Sequence, residues 1–453
     1  MSHERKSSLT VRVLSAVAML GSAQAVNIVC SVIRAKLIAI WLGPVGVGLN
    51  TILVNGSNLV STATQLNLRD SAVRDLSIPM SPNAMALKTA VVRRWAILLG
   101  ALGALAVILF SPLLSASAYN GSFAYSLYFA ALAPGLFCAA YAAGEFAVMQ
   151  ARDRLKQIAR ANVVAGLAAT VIAIPLLYCL RLRSIVIIIN VYSIAVAACA
   201  YIWREPPVPS GHISRHILWQ QGRSFMTLGL SISASALLTT LINYILSAYI
   251  NTHGGEIALG IYQSGYTLVN SYVGIIFSAI AVEYYPRLTR IIGRPTMART
   301  VMAHEVALIV KLVTPVAIIF VLFSDFFIRL LYSSSFEAVR PFVTFAILGA
   351  LYRGISLCYA YRILSAGDTR AYIFTESVSA IIGLALNIIG YHIGSYAGLG
   401  IAYILWYASY TAITALACRH RYGLILPRRL WLLIALATLL ITIVIISVQL
   451  LRL

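Results

Sequence analysis

The chain of 453 residues is 60% hydrophobic and 10% charged, with a mean hydropathy of +0.88, whereas soluble domains carry about 25% charged residues. Despite a net charge of +21, a nucleic-acid binder is excluded, because the sequence offers no soluble basic domain to carry that work. The apolar residues come in windows of roughly 20, the length that crosses a bilayer as a helix, without the strict alternation of barrel strands. The fold class read from this is an all-α polytopic membrane protein.

Thirteen spans are predicted. The amino terminus, MSHERKSS followed by an apolar run, has the basic and apolar parts of a signal peptide, but the apolar part continues too far, so an uncleaved first helix is expected. The first six spans fall at 11–43, 45–68, 95–114, 123–150, 161–180 and 184–203. A polar, proline-containing connector, REPPVPSGHISRHILWQQGR, follows. Spans resume at 224–250, 257–282, 306–326, 341–364, 372–392 and 396–417, with one more at 430–450. This organisation divides the chain into a six-helix bundle over 1–208, a second over 209–420, and an additional carboxyl-terminal helix over 421–453.

Basic residues test that count. Of the 34 Lys and Arg residues, Arg181, Arg183, Arg329, Arg340 and Arg452 fall on one side, and most of the rest crowd the other. The positive-inside rule makes the amino terminus cytoplasmic, and the odd span count puts the carboxyl terminus outside. Trp41, Trp95, Trp203 and Trp431 fall at span ends, where interfacial anchors are expected. Outside loops are short and leave no external domain for an enzyme.

The charges inside spans are the candidate functional residues. If the first helix surfaces at Gly43, Arg34 lies roughly 13 Å below that surface, near the middle of a hydrocarbon core about 30 Å thick. A cation there needs a partner or water, and usually faces a bundle interior or an aqueous cavity. Gln24, Asn27, Ser31 and Arg34 share one face of span 1, while Lys36 lies about 200° from Arg34 unless the helix bends. Span 2 carries a stripe of Thr51, Asn55, Asn58, Thr62 and Gln65. In the second half, Ser224, Ser231, Ser235 and Thr239 line one side of span 7, and Gln263, Thr267, Asn270 and Gly274 one side of span 8. Arg353 and Glu376 project inward from later spans, either toward a cavity or toward each other as an ion pair. Glu145, Glu283 and Lys311 lie near span ends, where local pairing or snorkelling is the leading reading. Polar stripes on the first two spans of each half suggest two bundles flanking a wet cleft, with related repeats rocking about a site.

Catalytic and cofactor motifs do not emerge. The histidines form no metal-ligand cluster, and His212 and His216 lack a third ligand nearby. GPVGVG lacks the Lys-Ser/Thr and the preceding strand of a phosphate loop. The six cysteines lie singly, which indicates neither disulfides nor zinc. The expectation is a non-enzyme without cofactor or metal.

AKLIAIWLGPVGVGLNTIL, GIYQSGYTLVNSYVGIIFSAIAVEYYPRLTRI, SDFFIRLLYSSSFEAVRPF, AYRILSAGDTRAYIFTESVSA and YAGLGIAY together resemble bacterial lipid-linked oligosaccharide flippases. These are the O-antigen and enterobacterial common antigen translocases of the multidrug/oligosaccharidyl-lipid/polysaccharide exporter superfamily. The resemblance implies two six-helix bundles related by a pseudo-twofold axis and open alternately to either side. It implies an inner-membrane protein that moves undecaprenyl-diphosphate-linked oligosaccharide from the cytoplasmic to the periplasmic leaflet, beside a glycan polymerase and a chain-length regulator. The family's first-hairpin lysine falls on Lys36. Arg34, Lys36 and Arg353 are then expected to meet the diphosphate or acidic sugars. Gln24, Asn27, Asn55, Asn58, Gln65, Gln263, Thr267 and Asn270 are expected to meet sugar hydroxyls, with Glu376 or Glu145 as candidates for ion coupling. Three alternatives remain at this stage: a multidrug cation antiporter of the same superfamily, a membrane glycan polymerase or ligase, and a scaffold of a glycan assembly complex.

Overall fold

The computed structural model describes residues 2–78, 80–206, 214–291 and 294–450, with side chains from Val26 onward except at a few positions between 228 and 286. Among the described residues every regular element is helical. Nine helices among the described residues are long and apolar enough to cross a membrane, and four of them are long enough to cross twice: Val26–Leu76, Leu155–Trp203, Ile232–Asn270 and Thr369–Tyr422. Each of the four is interrupted, so the nine helices yield the thirteen spans read from hydropathy.

The interruptions have local causes. Helix α1 (Ser2–Gln65) breaks at Gly43, whose φ of 65° a side chain would disfavour, and the following Pro44 has no N–H to continue the ladder. Helices α6 (Leu155–Leu180) and α7 (Ser184–Trp203) are joined through Arg181 at φ 51°. Helix α8 (Arg215–Thr267) breaks at Gly255, φ 72°. Helix α13 (Thr369–Tyr422) breaks at Gly394 and Ser395.

The chain forms two compact units, Met1–Ala248 and Tyr249–Leu453. In the first, α1 packs on α6 and on α3 (Pro82–Ala118), α3 packs on α5 (Ala133–Ala151), and α7 packs on both α5 and α6. Small residues permit these approaches: a Cβ on Gly166 of α6 would sit 2.4 Å from Asn27 Oδ1, and one on Gly144 of α5 would sit 2.5 Å from Ala96 Cβ. The short α2 (Leu68–Leu76) covers the end of α5. A buried bidentate pair ties α3 to α5, with Arg93 Nε and Nη2 each 2.9 Å from a Glu145 oxygen, and Arg93 Nη2 also donates to the Glu205 carbonyl at 2.8 Å. Glu145 is thus paired across 52 residues of sequence, with a partner on another helix.

The beginning of α8 belongs to this first unit. Trp95 Nε1 donates to the Leu218 carbonyl at 3.1 Å, Ser224 Oγ to Asp75 at 3.3 Å, and Asn55 Nδ2 to Ser247 Oγ at 2.7 Å. Tyr244 donates to the Leu114 carbonyl at 2.8 Å. The boundary expected at 208/209 falls in the connector, whose residues 207–213 lie outside the described ones; the compact units divide between Ala248 and Tyr249 because these contacts hold 215–248 against α1, α2 and α3. Trp95 departs from its expected place. It is buried, and it rests against Trp219 with ring centroids 5.9 Å apart, so it serves as a helix-to-helix tie and not as a lipid-facing anchor.

The second unit is organised on α12 (Arg340–Ser365), which packs along α13, on α10 (Pro295–Leu322) and on α9 (Val273–Arg290). The two halves of α13 touch backbone to backbone at Gly390 and Gly398, where a Cβ on Gly398 would fall 1.9 Å from the Gly390 carbonyl oxygen. The additional helix α14 (Arg428–Leu450) packs on α10 and α12 and is tied to α12 by Tyr352 and Thr438, whose hydroxyls lie 3.1 Å apart.

Two further differences concern span ends. The span expected at 123–150 is a separate short helix, α4 (Ser126–Ala130), followed by α5, and the span expected at 306–326 ends at Leu322 before another short helix, α11 (Ser324–Leu331).

Candidate functional site

The first unit contains a cavity of about 460 Å³ walled by both halves of α1, the start of α5 and the start of α7. That size lies in the range of sites for small ligands. Its polar wall is made of Ser31 and Arg34 from the first half of α1, Asn50, Ser57, Asn58 and Ser61 from the second half, and Tyr192 and Ser193 from α7. Isoleucine, leucine, valine and alanine side chains complete it, and Arg34 is the charged residue in the lining.

Arg34 is held on one side only. Its Nη1 donates to Thr170 Oγ1 at 2.9 Å and to the Gly166 carbonyl at 3.2 Å, and its guanidinium lies 5.1 Å from the Tyr192 ring centroid. Thr170 is itself fixed by donating to Gly166 O at 2.7 Å. Among the described residues, Nε and Nη2 make no hydrogen bond. The guanidinium is therefore oriented by α6 and α7 while the edge that forks onto carboxylates and phosphates keeps its donors.

Lys36 is absent from the lining, as the helical projection requires. Because α1 stays regular until Gly43, no bend rotates Lys36 onto the Arg34 face. Asn27 faces Gly166 of α6, and the Gln24 side chain lies outside the described residues. The stripe expected on span 2 is displaced by one residue. The cavity face runs Asn50, Val54, Ser57, Asn58 and Ser61, so Asn58 alone is shared with the expectation. Thr51 donates to the Val47 carbonyl of its own helix at 2.7 Å, while Asn55 donates to Ser247 and Gln65 to the Leu136 carbonyl at 3.4 Å, so the last two serve packing between helices. Asn50, Ser57 and Ser61 recur at i, i+7 and i+11, a helical signal available to sequence reading. Tyr192 and Ser193 gave no signal of that kind, because they reach the cavity from another helix.

The second unit places Arg353 differently. Its Nη1 donates to Asn270 Oδ1, which also accepts from Tyr403 OH at 3.0 Å. The guanidinium lies 5.8 Å from the ring centroids of both Phe277 and Tyr407. Asn270 sits in a π-helical turn, Leu268–Tyr272, and donates to the Tyr266 carbonyl at 3.0 Å. Glu376 accepts from Tyr410 OH. Arg353 and Glu376 therefore do not form the ion pair that was one reading of them; each has a neutral partner. Gln263 and Thr267 bond to each other at 3.3 Å along one helix face. Of the Ser stripe on span 7, the Ser231, Ser235 and neighbouring Leu228 side chains lie outside the described residues, as does the Glu283 side chain.

Comparison with family models now bears on this geometry. A model described as polysaccharide biosynthesis protein matches residues 77–341, more than half of the chain. The chain belongs to the polysaccharide biosynthesis protein family. Comparison with curated proteins finds no match. Among solved structures, the fold is similar to an inward-facing multidrug resistance MATE family transporter of the MOP superfamily, with a TM-score of 0.72 at 13% identity over 90% of this chain and 98% of that one. It is similar to the lipid II flippase MurJ in an inward closed conformation, with a TM-score of 0.66 at 13% identity over 96% of this chain and 97% of that one. The MATE multidrug transporter DinF-BH gives 0.61 at 15% identity over 90% and 95% of the two chains. At these identities the likeness establishes the fold alone, a multi-pass arrangement of helices.

Proposed function

We propose that this member of the family is a flippase that moves an undecaprenyl-diphosphate-linked oligosaccharide, such as an O-antigen repeat unit, from the cytoplasmic to the periplasmic leaflet of the bacterial inner membrane by alternating access. The observation that carries this reading is the cavity of the first unit, where one oriented cation with unengaged donors stands among neutral Asn, Ser and Tyr groups. A wall of that kind offers paired donors to an oxyanion and hydrogen bonds to hydroxyls, which is the chemistry of a charged, glycosylated head group. The polyprenyl tail stays in lipid, so the polar head needs a path where unpaired charge costs several kcal/mol.

Arg34 is the cation assigned to the anionic part of the substrate; Asn50, Ser57, Asn58, Ser61 and Ser193 are assigned to sugar hydroxyls. Lys36, outside the lining, is given no contact. Basic residues crowd one side of the spans, which supports a cytoplasmic amino terminus. With the inside negative, outward movement of the anion is then favoured by about 2.3 kcal/mol per charge per 100 mV. Glu376, bonded to a tyrosine hydroxyl and not to a cation, is the candidate for ion coupling. A glycan polymerase and a chain-length regulator are the expected partners. A multidrug cation antiporter is disfavoured because the cavity lining holds an arginine and no carboxylate among the described residues.

The test is reconstitution of the purified protein in vesicles with labelled undecaprenyl-diphosphate oligosaccharide. Transfer between leaflets without covalent change is expected. Lengthened glycan would indicate a polymerase, and no transfer at any potential would overturn the proposal.

A further inference from the structure

The two short helices that replace expected span ends, α4 and α11, occupy the same place in the sixfold order of spans: each follows the third span of its half and precedes the fourth. Helix α11 presents three faces. Ile328 and Ser324 are fully buried against the unit. Asp325 and Arg329 form a charged face, tied to the segment that follows: Asp325 Oδ1 lies 2.5 Å from Arg340 Nε, and Arg329 Nη2 lies 2.9 Å from Glu337 Oε1. The third face is apolar and exposed, made of Phe323, Phe326 and Leu330 at i, i+3 and i+7.

This exposed face does not begin at α11. It extends the exposed apolar row of the spanning helix α10, through Leu312, Val316 and Ile319, across the turn at Phe323. In the first unit the same relation holds. The exposed row of α3, ending in Leu109 and Leu113, leads to Phe123 and to Leu127 of α4, which is 76% exposed, while Phe129 on the other side of that short helix is fully buried. Tyrosines accompany the first of these places. Tyr119 stacks on Tyr125 at 3.9 Å and Tyr125 meets Tyr128 at 5.5 Å beside α4, whereas Tyr332 beside α11 is buried against Phe336. Tyrosine is enriched where a bilayer's hydrocarbon meets its head groups.

An exposed apolar stripe beside a charged face, as in α11, suits a helix lying at an apolar–aqueous boundary, and α4 shares the exposed apolar stripe without charged residues. We infer that α4 and α11 are interfacial helices, whose exposed apolar side chains enter the acyl boundary of the bilayer on the side that carries few basic residues. The occupant of both stripes is bilayer lipid, because each stripe is continuous with the lipid-facing row of the span before it. The two helices then fix the depth at which the third span of each half leaves the membrane.

Nitroxide labels test this in the full chain reconstituted in phosphatidylcholine and phosphatidylglycerol vesicles. The background is Cys138→Ser with Cys179→Ser, since the remaining four cysteines are buried. Labels at Phe326→Cys and Leu127→Cys are expected to collide with oxygen in preference to a water-soluble nickel chelate, by a ratio several-fold above that of a label at Ser335→Cys, which is exposed on the loop after α11. A ratio equal to that at Ser335 would place the helices in water and overturn the inference. Low collision with both reagents would mean that a second copy or another protein covers them, and would overturn it equally. Leu330→Cys on the same stripe serves if Phe326→Cys does not fold.

Discussion

Both units carry a cation inside a span, and they accommodate it in opposite ways. Arg353 in the second unit is surrounded by partners that belong to the fold: Asn270, which is shared with Tyr403, and two aromatic rings. Arg34 in the first unit is anchored by one nitrogen to α6 and leaves its other donors at a cavity. Among the described residues each guanidinium donates through Nη1 alone, but the surroundings differ: Arg353 has aromatic rings beside it, whereas Arg34 borders a cavity where its remaining donors can meet a ligand. The cost of desolvation is the same in kind, so the difference lies in what remains available to a ligand.

Breaking the comparison at its functional end should give the largest effect. Arg34→Ala removes charge-assisted hydrogen bonds worth about 1.5–3 kcal/mol, so leaflet transfer in reconstituted vesicles should fall by about ten- to hundredfold. Its melting temperature should hardly move, and Arg34→Lys should recover only part of the rate because an ammonium cannot fork. If Arg34→Ala melts well below the parent and transports normally once folded, Arg34 is a packing residue like Arg353.

Asn270→Ala attacks the other end. It strips Arg353 and Tyr403 of a shared acceptor and should lower stability by about 2 kcal/mol, measured as a shift in thermal unfolding in detergent. Loss of transport without loss of stability would instead give Arg353 a role like that of Arg34.

The second unit's reliance on internal partners extends to its loop. Asp368 caps α13 by accepting from Ala371 N at 3.0 Å, lies 2.5 Å from Arg421 Nη1 and accepts from Tyr422 OH at 3.3 Å. The backbone N–H, more than the arginine, holds its carboxyl below the usual range. Because the folded value is lowered, the stability it contributes is present above the unfolded value of about 4 and is lost as pH falls through the folded value. Unfolding profiles of Asp368→Asn and the parent should differ modestly at pH 7 and converge only once pH has fallen below the folded value, which itself lies under about 4; parallel profiles from pH 7 down through that window would contradict this. The smallest effect is expected of Lys36→Ala, which should transport within about twofold of the parent, since a residue away from special features shifts energies by only about 0.5 kcal/mol. A tenfold loss would bring Lys36 to the substrate path.

Hydropathy and charge were enough to read the thirteen spans, and Gly43 showed as a turn because the apolar run is punctuated there by GPVG. Faces within a helix were legible to about one residue: Arg34 fell on the cavity side and Lys36 off it. The stripe on the second half of α1 was misjudged by a single position, because Thr51 satisfies its hydroxyl on its own backbone and Asn55 reaches α8, and neither fact is encoded in periodicity. Contributions from distant helices, such as Tyr192, and pairings such as Arg93 with Glu145, depend on which helices become neighbours, which spacing along the chain does not specify.

The seam between the compact units lies within α8, not in the proline-containing connector before it. A chimera joined to a relative at that connector would import residues 215–248 from a foreign chain, and with them the donors and acceptors that must meet Trp95, Asp75, Asn55 and Leu114. Recombination between such proteins should therefore succeed more often when the crossover is placed between Ala248 and Tyr249, within the helical stretch before the break at Gly255, than in the loop that alignment by hydropathy would select.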